Sequence, residues 1–210
     1  MLQELTEQIG RTIEEFLSGV HTAIPGEITE FDPETCTASV LPKGQFKSPD
    51  GRFFDYPAIS EVPVVLIQGG GQDTSIVFPI KAGDGCLLII CEQGLDYWLY
   101  GGKLESDLKH DLTNAIAIPG LFNKPNAAVK EAINNDAILI KKGNNQITLS
   151  QSGIAIRGDL TVEGNILSTK QITGTQGVST ESGDVTAGTI SLKSHTHISS
   201  TDGSPTSAPS

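Results

Sequence analysis

Cysteine is rare in this chain. Among 210 residues only Cys36, Cys86 and Cys91 carry thiols, at irregular spacing. An odd, scattered set excludes a disulfide framework and points to reduced thiols in a chain made in a cytosol. Long apolar runs are absent too: none approaches the ~18 residues that a membrane-spanning helix needs. The first residues, MLQELTEQIGRTIEEFL, carry acids where a secretory signal carries a basic start and an apolar run, so no signal peptide is expected. Basic charge is in deficit, with 14 Lys and Arg against 25 Asp and Glu and a net charge of -11. Neutralising phosphates takes a surplus of cations, so general nucleic-acid binding is excluded. Aromatic residues make up 5% of the chain and all lie between Phe16 and Phe122.

That last gap divides the chain. Residues 1–125 hold 8 Lys and Arg against 18 Asp and Glu, whereas residues 126–210 hold 6 against 7. Two compositions imply two folding units, with a breaker-rich junction at Pro119-Gly120-Leu121-Phe122-Asn123-Lys124-Pro125-Asn126. The expected organisation is an N-terminal helix at 1–22, a barrel domain at 23–125, a β-helical needle at 126–193, and an apex with a tail at 194–210. The fold class is mostly β.

Leu2, Leu5, Ile9, Ile13, Phe16, Leu17 and Val20 recur by threes and fours, which places them on one stripe of a helix. Gly19 and Pro25-Gly26 end it. Such a stripe packs either on its own domain or against another chain or partner; the spacing is the same in both cases.

Residues 26–118 read as a small all-β domain. Strands are expected at 27–31, 35–41, 61–68, 74–80, 85–91 and 112–118, parted by Asp-Pro, Pro-Asp-Gly, Gly-Gly-Gly and Gly-Asp-Gly turns. Five or six short strands in this length suit a small barrel of the OB type. The runs Val62–Ile67 and Cys86–Cys91 are continuously apolar and are expected to be buried on both faces, with Pro63 near the start of its strand.

Residues 136–193 follow another rule. Apolar pairs at i, i+2 recur as Ile138/Ile140, Ile147/Leu149, Ile154/Ile156 and Leu160/Val162, then thin out through Ile166, Ile172, Val178 and Val185 to Ile190/Leu192. Glycines punctuate them. This is a quasi-repeat of very short strands. One copy has too little apolar surface to offset ~1–2 kcal/mol of backbone entropy per ordered residue. Copies wound round an axis share one narrow core and pair away their edges. An intertwined homotrimeric β-helix or prism follows, in preference to a solvated linker, because linkers do not keep spaced Ile and Leu.

At the end of this segment stands Ser194-His195-Thr196-His197. On an extended strand His195 and His197 share one side. One chain then supplies two imidazoles and three chains supply six, enough for an octahedral shell. Imidazole suits iron, nickel, zinc and copper; six-coordination favours iron or nickel over tetrahedral zinc. A shell without an open position is structural. The tail beyond, ISSTDGSPTSAPS, reads either as a disordered terminus or as a cap folded back on the apex.

An enzyme is not expected. Asp107 and Asp111 flank His110, and Asp84 sits among glycines, without a base–nucleophile constellation. There is no Gly-x-Ser-x-Gly. Gly69-Gly70-Gly71 lacks a following Gly-Lys-Ser/Thr and reads as a hairpin turn, not a phosphate loop. His21 and His110 have no partners at metal-ligand spacing and read as structural.

The layout resembles the central spike proteins of contractile phage tails and R-type bacteriocins. The resemblance rests on Val62-Pro63-Val64, Phe78-Pro79, Gly83-Asp84 and Asp96-Tyr97-Trp98 within residues 61–99. It rests further on His110-Asp111-Leu112 with Ala117-Ile118-Pro119-Gly120. The apex contributes Gly183-Asp184-Val185-Thr186-Ala187-Gly188-Thr189-Ile190-Ser191-Leu192-Lys193 followed by the His-Thr-His. It implies a homotrimer at the tail baseplate tip of a virion or tail-like particle, joined to tail tube or baseplate hub proteins and driven through the host envelope by sheath contraction. It implies one iron ion per trimer held by His195 and His197 of each chain. No small-molecule substrate is implied, and the 121–138 stretch has no room for the lysozyme domain some such spikes carry. Two rivals stand beside this reading. A trimeric receptor-binding fibre would recognise a surface glycan or protein, but would be expected to carry a distal aromatic head that is missing here. A trimeric enzyme with a catalytic iron would need an open coordination position.

Overall fold

The computed structural model describes residues 2–48, 50–103, 108–199, 201 and 203–207. Asp107, weighed above beside His110, lies outside the described residues, as do residues 208–210 of the tail. The chain divides into two units, one of residues 1–141 and 148–154, the other of residues 142–147 and 155–210.

The first unit begins with the expected helix, α1 (Leu2–Ser18). Among the described residues its apolar stripe finds no cover: Leu5, Ile9, Ile13, Phe16 and Leu17 are all exposed, Phe16 by 73%.

After α1 come β1 (Ala23–Asp32), β2 (Thr37–Pro42), β3 (Gln45–Lys47), β4 (Phe53–Asp55) and β5 (Ile59–Pro63). They are followed by β6 (Ile67–Gly69), β7 (Thr74–Ile76), β8 (Gly85–Ile90), a short helix α2 (Asp96–Tyr100) and β9 (Ala115–Pro119). Five of these form one sheet in the order β5-β2-β1-β8-β9, with antiparallel neighbours throughout. A register shift between Ile28 and Glu30 of β1 bends the sheet. It curls into a half-barrel far enough for its two edges to meet. Val64, just past β5, makes a parallel bridge to Ala117 of β9, and the Val65 N–H donates to the Ala117 carbonyl at 2.9 Å.

The core follows from strict alternation. In β2 and β8 every second residue is buried, and Ala38, Val40, Cys86, Leu88 and Ile90 meet Ile28, Ile59, Val62, Ala115 and Ala117 inside the curl. Each fully buried aliphatic contributes roughly 1.5–3 kcal/mol. The backbone passes close to this core at Gly26: a Cβ there would lie 2.6 Å from Val40 Cγ1 and 3.2 Å from Cys86 Sγ.

Several expectations need correction. Residues 61–68 are not one strand buried on both faces. Pro63 ends β5 instead of starting a strand, and Val65 and Ile67 are exposed. Pro63 has no N–H for a ladder, and the chain leaves β2 there to bridge β9. Residues 86–91 also have only one fully buried face, since Leu87 and Ile89 are half-buried. The strand expected over 74–80 stops at Ile76. Around the Pro-Asp-Gly turn a hairpin of three-residue strands, β3 with β4, stacks Phe46 on Phe54 at 5.7 Å between centroids. Strands that short carry no readable alternation. The triglycine does form a hairpin turn, joining β6 to β7 through one 3-10 turn with Gly70 and Gly71 at positive φ.

The junction ends in a helix, α3 (Ala127–Asn134), which corrects the β assignment of residues 126–134. Asn126 caps it by accepting from the Ala128 N–H at 2.8 Å. Three strands follow, β10 (Ile138–Lys142), β11 (Asn145–Ser150) and β12 (Gly153–Arg157), in that order in one sheet. They carry the first three apolar pairs of the quasi-repeat. Residues 158–185 contain no strand, so Leu160, Val162, Ile166, Ile172 and Val178 form none in the single chain. Their side chains are exposed, as are those of Ile138, Ile140, Ile154 and Ile156.

Candidate metal centre

The second unit ends in a compact apex. β13 (Thr186–Ala187) and β14 (Ile190–Ser191) pair antiparallel across a two-residue turn. Gly188 takes φ +64°, while Thr189 stays at negative φ, the arrangement of a hairpin turn with glycine first. The Leu192 N–H donates to the Val185 carbonyl at 2.9 Å and extends the pairing by one step.

The chain then turns, and Asp184 holds the turn. Its carboxylate accepts from the Lys193 N–H at 3.2 Å and from the Ser191 hydroxyl. The serine bond first, then the backbone bonds of Lys193 and Val185 and the Lys193 charge, hold the carboxyl below its ordinary value. Ser191 Oγ in turn accepts from the Ser194 N–H at 3.0 Å.

This turn delivers the His-Thr-His segment. The Ser191 carbonyl receives the His195 N–H at 3.1 Å, and His195 Nδ1 lies 2.9 Å from the same oxygen. A carbonyl oxygen only accepts, so Nδ1 carries the proton and Nε2 keeps its lone pair. His195 is half-buried and His197 exposed. Their rings stand edge to face with centroids 5.2 Å apart. The two imidazoles of one chain are therefore neighbours.

The tail folds back on this segment. Ile198 bridges Pro205, and the Ser199 N–H donates to the Ser204 carbonyl at 2.8 Å. Thr206 grips the main chain of His197 twice. Its N–H donates to the His197 carbonyl at 2.7 Å, and its Oγ1 accepts from the His197 N–H at 2.9 Å. Of the two readings of the tail, the folded-back one describes Ile198, Ser199 and residues 204–206.

Imidazole nitrogens are donors that suit a transition metal. One imidazole is fixed in the tautomer that leaves Nε2 free, the arrangement in which a carbonyl orients a metal-binding histidine. Among the described residues no group of three or more His, Cys, Asp or Glu converges within one chain. Two imidazoles per chain complete a shell only when several chains meet. The sequence reading found the two histidines but missed Asp184, Ser191 and Thr206 as their supports. The Asp184 carboxylate seven residues before Ser191 was a signal only once the hairpin between them was known.

The remaining candidates sit elsewhere. His21 packs edge-on against Tyr56 at 5.6 Å, and its N–H donates to the His110 carbonyl at 3.1 Å. Asp111 accepts from the Thr113 N–H at 2.9 Å, and Asp84 accepts from the Lys81 N–H at 2.8 Å, so both close local turns. All three cysteines are free. Burial pushes the Cys86 thiol up to about 11.

Residues 24–120, which span the curled sheet, match the family model described as Phage protein Gp138 N-terminal domain. No curated protein matches the chain. That family is one of phage baseplate and tail proteins, and the match supports a structural, tail-associated phage protein that works among other tail or baseplate components in the virion. No helix among the described residues is long and apolar enough to cross a membrane.

Proposed function

We propose that the chain is one subunit of a homotrimeric central spike at the tip of a contractile tail, driven through a host envelope by sheath contraction. The observation that carries this reading is the exposure of the needle aliphatics. Ile154, Leu160, Ile166, Leu167, Ile172, Val178, Ile190 and Leu192 all face solvent in the single chain, Leu167 by 91%. A run of spaced aliphatics that one chain leaves uncovered calls for partners, and identical chains round an axis cover it by symmetry. The strand order of the curled sheet, with its single parallel bridge, supports an OB-type barrel as the end that docks on the tube or hub. The acid-rich N-terminal half favours a basic or polar docking surface there.

The work is mechanical, not enzymatic. A spike must be narrow and slow to unfold, so its relevant stability is a rate. Fraying starts at free ends. His195 and His197 of each chain would hold one metal ion, iron by preference, and bound metal joins the three ends through six imidazoles. The Ser191 carbonyl holds the His195 ring in place, and Thr206 holds the His197 main chain. Residues 123–210 themselves hold no aromatics and so do not form an aromatic-bearing receptor-binding head.

The deciding experiment is elemental analysis of tag-free protein eluting from a sizing column with light scattering. The expected result is a trimer with about one iron per three chains, as six imidazoles per ion require. A trimer without metal would remove the apex site and favour the fibre, which a glycan array then tests. A monomer would overturn the spike altogether.

A further inference from the structure

The stripe on α1 has an order of its own. Leu2, Leu5, Ile9, Ile13 and Phe16 follow spacings of 3, 4, 4 and 3, so that Leu2 to Ile13 and Leu5 to Phe16 are both steps of eleven residues. Eleven residues in three turns is 3.67 per turn, close to the period of an unstrained helix, and keeps such a stripe straight or slightly right-handed along its length. Every described side chain of the stripe is exposed. Most of a protein helix's stability comes from packing its apolar face, and nothing among the described residues covers this one, so a partner is called for.

The charges identify the partner. Placed at 100° per residue, Gln3, Thr6 and Gly10 border one side of the stripe, and Gln8 and Thr12 the other. All five charged residues, Glu4, Glu7, Arg11, Glu14 and Glu15, fall on the opposite face. A partner recognised by charge would be met by charged borders. Identical helices packed side by side face the reverse demand, because acids on the borders would meet acids of the neighbouring copy. Neutral borders with the acids turned outward meet it.

We infer that α1 is a self-association surface whose occupant is the same helix of the other copies, packed parallel and in register as a bundle at the N-terminal end. This rests on the homotrimer proposed above and adds a second clamp, in the first unit, to the one proposed at the His-Thr-His segment.

The test is oxidative cross-linking of the full-length chain, in a Cys36→Ser background that removes the exposed native thiol. In a parallel, in-register bundle Leu5 of each copy faces Leu5 of the next. Leu5→Cys is therefore expected to give disulfide-linked dimers on a non-reducing gel, two of every three chains at most. Glu7→Cys, on the charged face, is expected to stay unlinked. A trimer by light scattering in which Leu5→Cys links no better than Glu7→Cys would overturn the bundle and leave the spike reading standing. Efficient linking of Leu5→Cys to Leu17→Cys in mixed trimers, with none of Leu5→Cys to itself, would overturn the parallel arrangement. A monomer would overturn both readings.

Discussion

His195 Nδ1 lies 2.9 Å from the carbonyl oxygen of Ser191, the oxygen that also receives the His195 main-chain N–H. One acceptor thus sets both the backbone turn and the ring tautomer. The ring orientation is thus set by the protein's own backbone, and a metal proposed to bind there would meet little reorganisation. Asp184 secures that acceptor by binding the Ser191 hydroxyl and the Lys193 N–H.

His195→Ala is expected to abolish metal binding and leave the assembly intact, because the proposed needle core lies upstream of residue 194. Elemental analysis should fall from about one ion per three chains, the six-imidazole stoichiometry, to none. Light scattering should still report the trimer. A variant running as a monomer would show that the metal, not the aliphatic core, holds the chains together.

Acid should loosen the apex turn. The folded carboxyl of Asp184 sits below the ordinary value of 3.8, mainly through its bond from Ser191. A group depressed on folding stabilises the fold above its unfolded value, and that stabilisation is lost as pH falls through the folded one. The turn should therefore be unaffected at neutral pH and release below about pH 4, where carboxylates protonate. An NMR titration of the Lys193 amide should show a midpoint under 3.8 that Asp184→Asn removes. A midpoint above 3.8 would contradict the hydrogen bonding described.

The three thiols should react in the order of their exposure. Cys36 is exposed, Cys91 half-buried and Cys86 fully buried. Burial raises the thiols of Cys91 and Cys86, the latter to about 11, and only the thiolate is nucleophilic. With an aromatic disulfide reagent at pH 8, Cys36 should be modified first and Cys91 more slowly. Cys86 should react only after denaturation. Rapid modification of all three in the native protein would mean that the curled sheet opens readily.

Leu88→Ala should cost the curled sheet about 2–5 kcal/mol, the usual range for a truncated core leucine. Leu88 is wholly buried, next to the backbone of Gly26. Gly26→Ala should cost about 1–3 kcal/mol through overpacking against Val40 and Cys86. Urea melts of the two variants, followed by the fluorescence of Trp98, give both numbers. A neutral Gly26→Ala would show that Val40 turns aside freely.

Much of this protein was determined by the sequence alone. The threes and fours of Leu5, Ile9, Ile13 and Phe16 specify a helix, and the twos of Ile138/Ile140 and Ile154/Ile156 specify strands, because side-chain period is a property of the local backbone. What only the tertiary structure decided depends on residues far apart in the chain. Val62–Ile67 looks doubly buried in isolation, yet past Pro63 the chain turns to the other edge of the curled sheet because Val64 pairs with Ala117, more than fifty residues on. The orientation of His195 comes from the Ser191 carbonyl, held by a carboxylate that a hairpin brings back from Asp184. The fate of the tail comes from Thr206 meeting His197. Hydrogen bonds of this kind have no period, and no local pattern announces them; they exist only once the chain has closed on itself.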